Sequence, residues 1–316
     1  MIIDCAELKK EVNELNNKFY ELIKEITPEG KKYNIHIISC NSNPASEIYM
    51  RNKMKALEDY QDILMRSIIH SDPKTGFNRL EEIIKNLKAD DYHILQLPIE
   101  TQYYQNDFYD LIDRIPNDID GFNYFDIVSL VRNESDNENI IPATTRGILK
   151  VIEKGLEMQK GDKSLSGKNV LMIGRSEIVG KPTSYLLTKY DATVTLAHSK
   201  TPLNKLEKHF ENADIIISAV GKPRVFGERF LKYGNKILID VGINKTNNGI
   251  CGDFDTTFEG FDNLNHFYTP VPKGIGILTV EYFVNNALRL ILMNNWNRAS
   301  SPEDRKRFNE LIDQII

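Results

Sequence analysis

Four short apolar runs recur through the second half of the chain: "NVLMIG", "ATVTLAHS", "ADIIISAVG" and "KILIDVGIN". Each has strand character, and helical or turn segments separate them. Strands alternating with helices imply parallel pairing in an α/β layer, so these four runs predict half or more of a doubly wound nucleotide-binding domain. The first run continues as "NVLMIGRSEIVGKP", a strand, a glycine turn and a helix start. Gly174 lets the chain turn tightly, and Gly180 permits close packing or the close approach of a ligand. The helix amides and dipole then face an anion such as pyrophosphate. The spacing is not Gly-x-Gly-x-x-Gly, so on this segment alone a tight turn with nothing bound stays open.

The choice of dinucleotide is partly readable. A domain that prefers NAD usually carries Asp or Glu about 20 residues further on, where the next strand ends. Here that strand ends in "TLAHSKT", with His198, Ser199 and Lys200 and no carboxylate. Arg175 in the first turn, together with Ser199, suits a 2′-phosphate through charge-assisted and hydroxyl hydrogen bonds, which favours NADP.

The first half also alternates. Residues 6–26 read as a helix with Leu8, Val12, Leu15, Phe19, Leu22 and Ile23 on one stripe, and "YNIHIIS" reads as a strand. In "SNPASEIYMRNK", Pro44 and Ser46 read as the end of a loop and a helix N-cap. Tyr49 and Lys53, four apart, then project together; on this stretch alone they make an ordinary surface pair. A helix over "GFNRLEEIIKNLKADD", a strand in "YHILQLP", a helix in "FYDLIDRIP" and a turn in "NDIDGFN" follow. A polar loop spans 133–139, and "TTRGILKVIEKGLEMQK" is a long helix. Another helix runs from Thr279 to about Met293, and the tail is a separate helix with Ser301 at its N-cap and Pro302 at its first position.

Length and composition bound the function. A chain of 316 residues holds two domains with full cores, and 41% hydrophobic with 27% charged residues is ordinary for a globular protein. A net charge of −5 supplies no basic field, which argues against nucleic acid. Cys5, Cys40 and Cys251 are odd in number and far apart, fitting neither zinc nor a disulfide framework, and no other metal spacing occurs. His36 and His93 read as packing residues in apolar strands and His198 as a cofactor wall. No stretch is expected to span a bilayer, and "MIIDCAELKKEV" lacks the marks of a targeting segment, so a cytoplasmic location is expected, without membrane association.

Taken together, these segments resemble the methylenetetrahydrofolate dehydrogenase/methenyltetrahydrofolate cyclohydrolase family. "NPASEIYMRNK", "QLP", "DIDGF" and "IPATTRGI" match its N-terminal signatures; "GRSEIVGKP", "ATVTLAHSKT", "DVGIN", "GDF" and "TPVPKGIG" match those of its cofactor domain, in order. The resemblance runs from about residue 2 to 290. It implies a two-domain α/β fold with a cleft between the domains. Residues 1–146 plus 279–316 would form the folate-binding catalytic domain, and 147–278 a Rossmann-type, doubly wound NADP-binding domain. It implies NADP-dependent oxidation of 5,10-methylenetetrahydrofolate to the methenyl compound and hydrolysis of the latter to 10-formyltetrahydrofolate. A monofunctional or NAD-dependent dehydrogenase, and a catalytically silent folate- or nucleotide-binding paralogue, are the alternatives.

By the same resemblance Lys53 is the catalytic lysine, Tyr49 packs on the folate, Gln96 hydrogen-bonds near the lysine and Asp120 anchors the pterin. Leu97, Pro98, Pro272, Gly274 and Gly276 complete the substrate site. Thr144, Gly174, Arg175, Ser176, Ser199 and Ile243 would hold the cofactor, and a homodimer is implied. Several positions depart from the family pattern: Lys273 and Ile277 replace Gly and Pro in "PVPKGIGI", Asn41 replaces Gly, Thr145 replaces Pro, and Asp126 and Val128 replace Asn and Gly.

Overall fold

The computed structural model describes residues 1–42, 44–75, 77–100, 110–132, 139–160, 164–247, 249–296, 301–303, 305–306 and 310. It divides into two compact units, one of Val12–Ile141 with Val280–Ile316, the other of Met1–Glu11 with Pro142–Thr279. The first eleven residues thus lie with the dinucleotide unit and not, as expected, with the rest of the N-terminal half. The reason is backbone pairing: Ile2 bridges Tyr268 in parallel, and the Ile3 amide donates to the Tyr268 carbonyl at 2.8 Å.

In the first unit, β1 (Tyr33–Ser39), β2 (Leu64–His70) and β3 (Tyr92–Gln96) form a parallel sheet in the order β2-β1-β3. Ile38 and Leu95 on one face pack against Leu80 and Ile84 of α3 (Phe77–Lys85) and against Leu111 and Ile112. One further parallel bridge, His93 to Asp118, carries the pairing beyond β3. α1 (Cys5–Ile26) buries the expected stripe, except that Leu15 is only half-buried while Asn16 is fully buried. α2 (Pro44–Ala56) begins two residues before Ser46, so Ser46 is an interior helix residue and not the cap. Pro44 opens the helix, where the missing amide costs nothing. Two elements were not foreseen: β2, whose exposure pattern is mixed, and α4 (Tyr124–Arg132), which follows the Asp-Gly turn directly.

The second unit holds α5 (Ala143–Lys160), β4 (Asn169–Ile173), α6 (Gly180–Lys189), β5 (Thr193–Ala197), α7 (Leu203–Asn212), β6 (Ile215–Ser218), α8 (Glu228–Leu231) and β7 (Ile237–Asp240). A small antiparallel hairpin, β8 (Asn244–Thr246) with β9 (Gly249–Cys251), and the short β10 (Phe267–Tyr268) follow. The five-stranded sheet is wholly parallel in the order β10-β7-β6-β4-β5. The fold class is therefore the expected doubly wound α/β sheet, and the strand order reverses between β4 and β6. Burial on both faces explains why β4, β6 and β7 read as unbroken apolar runs.

α9 (Ile275–Trp296) starts four residues before Thr279 and crosses from the second unit's residues into the first's. Contrary to expectation, its Ile275–Asn295 stretch is long and apolar enough to cross a membrane; however, 78% of its 18-residue window is buried inside the protein, as in a core helix. At the tail, the Arg305 amide donates to the Ser301 carbonyl at 3.4 Å. Most of the expected terminal helix, and loop residues 133–138, lie outside the described residues.

Candidate functional site

In the first unit the chemistry gathers beyond the carboxyl ends of the strands. α2 follows β1 and carries Lys53, whose ammonium is 3.2 and 3.3 Å from the two carboxylate oxygens of Asp120. Lys53 is 3% exposed and Asp120 9%, so this is a buried ion pair and not the surface lysine of the plain reading. The Lys53 ammonium also lies 5.1 Å from the centre of the Phe283 ring, a cation–π contact from α9. Tyr49, one turn earlier, is half-buried.

Gln96 closes β3, ahead of the cis Leu97–Pro98 peptide. Its amide nitrogen donates to the Leu97 carbonyl at 2.9 Å and not to Lys53, whose partner is Asp120. The Gln96 Oε1 is buried with no partner among the described residues. A buried acceptor left unmet is costly, and it suits a ligand N–H or O–H.

Asp120 sits in a loop that other side chains shape. The Asp118 carboxylate accepts amide hydrogens from Asp120 (3.1 Å), Phe122 (2.8 Å) and Asn123 (3.3 Å). Gly121 is left-handed at φ 70°, and a Cβ there would meet the Ile140 carbonyl oxygen at 2.5 Å. Burial, and then the charge of Asp120, pushes the Asp118 carboxyl up to about 7. Burial likewise raises Asp126 to about 6, against the pull of the Ile140 amide that it accepts at 2.8 Å. A cavity of about 440 Å³ is lined by Asp113, Asp118, Asp126 and Tyr124, among others, but by neither Lys53 nor Gln96.

In the second unit the glycine turn leaves β4 at the switch point. Gly174 has φ 122°, and a Cβ there would lie 2.6 Å from the Ala219 carbonyl beyond β6. At Gly180 a Cβ would fall 2.1 Å from the Gly174 carbonyl, so the first turn of α6 presses on the loop. The Ser176 hydroxyl oxygen accepts from the Val179 and Gly180 amides at 3.2 and 3.3 Å. Ile173 and Ala197 are register partners, so Arg175 and Ser199 stand two residues past adjacent strand ends, both exposed. A turn without room for side chains, a helix N-terminus behind it and an exposed Arg beside a Ser fit a dinucleotide with a 2′-phosphate. Thr144 is 3.2 Å from the Thr279 hydroxyl, and Ile243 is exposed, its tip 3.3 Å from where a Gly276 Cβ would stand.

Sequence reasoning missed the carboxylates that build this end of the sheet. Asp253 accepts from the Ser218 hydroxyl, the Val220, Gly221 and Lys222 amides and the Asn244 side chain. Asp240 accepts from the Gly242, Asp253 and Phe254 amides. The glycines of "DVGIN" and "GDF" follow from this: a Cβ on Gly242 would strike Asp253 at 2.1 Å, and one on Gly252 would strike Asp240 at 2.0 Å. That crossed pairing of Gly and Asp was the available signal.

The departures from the family pattern mostly have local partners. Asn41 donates to the Pro98 carbonyl at 2.9 Å, and the buried Thr145 hydroxyl is 3.2 Å from that of Thr183. The Ile277 amide donates to the Gly274 carbonyl at 3.3 Å, a bond that proline would lose. Lys273 is exposed and left-handed at φ 75°, between the exposed Pro272 and the buried Gly274, where a Cβ would lie 2.2 Å from the Pro270 carbonyl. Among the described residues no group of His, Cys, Asp and Glu has the geometry to hold a metal ion.

The glycine turn at the reversal of strand order puts the chain in the class of doubly wound dinucleotide-binding proteins. Within that class, a family model described as the NAD(P)-binding domain of tetrahydrofolate dehydrogenase/cyclohydrolase matches residues 142–295. Bifunctional protein FolD of Aliarcobacter butzleri is 36% identical over 293 residues, 90% of this chain and 91% of that one. The chain belongs to the tetrahydrofolate dehydrogenase/cyclohydrolase family. The crystal structure of the bifunctional FolD enzyme from Campylobacter jejuni superposes with a TM-score of 0.78 at 28% identity, covering 94% of this chain and 99% of that one. The Trypanosoma brucei enzyme, solved with NADP and an inhibitor, gives 0.77 at 25% identity, over 95% and 99% of the two chains.

Proposed function

We propose that the chain oxidises 5,10-methylenetetrahydrofolate to the 5,10-methenyl compound with NADP, and hydrolyses that product to 10-formyltetrahydrofolate. The observation that carries this reading is near-full-length similarity to bifunctional enzymes together with a lysine buried against a carboxylate at the matching motif. When bound, NADP supplies the hydride acceptor. The Gly174 turn and the first turn of α6 would seat its pyrophosphate, with Ser176 shaping the turn; Arg175 and Ser199 would take the 2′-phosphate, and Thr144 and Ile243 would flank the rings.

Hydride transfer needs alignment of two ring systems more than an acid or a base, so the protein's part is to position. Tyr49 offers a flat face to the folate, while Leu97, Pro98, Pro272, Gly274 and Gly276 shape the walls around it. Hydrolysis adds water to a cationic carbon and moves protons. The Lys53 amine, freed of its own proton, takes a proton of the attacking water as the oxygen adds to the methenyl carbon; the bond from that carbon to N5 then breaks as the hydroxyl proton passes to N5, and the ammonium left against the Asp120 carboxylate gives its proton to solvent. The unpartnered Gln96 Oε1 orients the water or the substrate. The protein works on soluble folates as a cytoplasmic homodimer.

The test is spectrophotometric, with methylenetetrahydrofolate and NADP. Methenyl absorbance should appear and then decay with the natural enzyme; with Lys53→Met it should appear and persist, hydrolysis falling at least a hundredfold. Decay at the natural rate in that variant overturns the role of Lys53.

A further inference from the structure

We infer that Asp118 and Asn286 are positioning residues for the hydrolytic step: together they lock the 118–123 turn so that Asp120 meets Lys53. This rests on the reading of Lys53 and Asp120 given above. Three observations support it. Asp118 gathers the amides of Asp120, Phe122 and Asn123 onto one buried carboxylate, which dictates the path of the backbone through Asp120. Asn286, fully buried on α9, donates from its single amide nitrogen to the carbonyls of Ile119 (3.1 Å) and Ile141 (2.9 Å). It thereby ties the residue before Asp120 to the segment whose Ile140 carbonyl crowds Gly121. Asp120, held on both sides, places both oxygens on the Lys53 ammonium.

An Asn at 118 would turn one acceptor oxygen into a donor facing amide donors, so the turn should loosen without loss of side-chain volume. A pH signature follows. Asp120 and Asp126 lie near Asp118, Asp113 lines the same cavity, and His93 pairs with it across the sheet; Lys53 faces Asp120, and Arg289 draws on Asp126. Only the ionised Asp118 accepts on both oxygens freely, so hydrolysis should rise with pH as this carboxyl loses its proton near neutrality.

The experiment compares hydrolysis and hydride transfer in Asp118→Asn, Asn286→Leu and Asp120→Asn, and in Asp118→Asn combined with Asp120→Asn. Asp118→Asn should slow hydrolysis at least tenfold, leave the KM for NADP within twofold and flatten the rise of hydrolysis through pH 7. The double variant should be no slower than Asp120→Asn alone, within twofold. Losses that multiply in the double variant, or an unchanged pH profile, overturn the inference. Should Asp118→Asn fail to fold, Asn286→Leu takes its place in the cycle; failure of both to fold overturns the inference in favour of a purely structural role. If Asp120→Asn and Lys53→Met leave hydrolysis intact, the reading of the site itself is what fails. If they slow it and Asp118→Asn does not, only this inference falls.

Discussion

A single exposed lysine carries the clearest cost at the residue scale. Lys273 occupies the left-handed region, where a side chain with a Cβ is strained by about 1 kcal/mol or more. Lys273→Gly should therefore raise stability by up to about 1 kcal/mol, read as a higher denaturant midpoint at an unchanged slope. An unchanged or lower midpoint would mean that the backbone at 273 bears no such strain. Arg175 offers a second test at this scale. Its guanidinium, exposed two residues past β4, is the group proposed to read the 2′-phosphate. Arg175→Ala should raise the KM for NADP at least tenfold while that for NAD moves less than threefold. Equal changes for the two nucleotides would remove the basis for its role.

Buried polar side chains join segments far apart in the chain at the scale of elements. Asn16 on α1 donates to the Glu281 carboxylate and carbonyl on α9 at 3.0 and 3.2 Å, and accepts from Asn285 at 2.8 Å. Asn13 adds a further donor to Glu281 at 3.1 Å. Asn16→Leu leaves that buried carboxylate short of a donor and should cost about 2–3 kcal/mol, measured by urea unfolding. A loss below about 0.5 kcal/mol would mean that water replaces Asn16. This network also marks where sequence reading stops. The stripe on α1 was legible because apolar residues at helical spacing announce their own burial. Asn16 breaks that stripe, and its partners lie some 265 residues away, so nothing local revealed it. β4, β6 and β7 of the dinucleotide unit were legible because both faces are covered, whereas β2, with only its first residue buried, carried little signal. Lys53, Asp120 and Gln96 were singled out through short motifs that resemble the family's. Asp118 and Asn286 were not, since their work is done on backbone groups, which leave no residue-type signature.

Protonation couples to folding across the whole molecule. Burial holds the carboxyls of Asp118 and Asp240 at about 7, above their ordinary 3.8. Each binds its proton more tightly folded than unfolded. Its stabilising contribution is therefore complete below 3.8 and lost as pH rises through about 7. His93 and His266 are held by burial below 6.5, so their contribution is present above that value and lost only as pH falls. Between pH 6.5 and 7.5 the carboxyls set the slope, and Tm should fall with rising pH, each proton contributing up to about 1.4 kcal/mol per pH unit. A melting temperature that climbs over this interval would mean that both aspartates are already ionised at pH 6.5.

One feature of the chain's layout sets the order in which this protein becomes competent. The unit that holds Lys53 and Asp120 is interrupted by Pro142–Thr279 of the dinucleotide unit and resumes with Val280–Ile316. Phe283, against the lysine, and Asn286, over the turn, both arrive with that last segment. A growing polypeptide on the ribosome therefore cannot set either side chain in place until the residues from Val280 onward have been made.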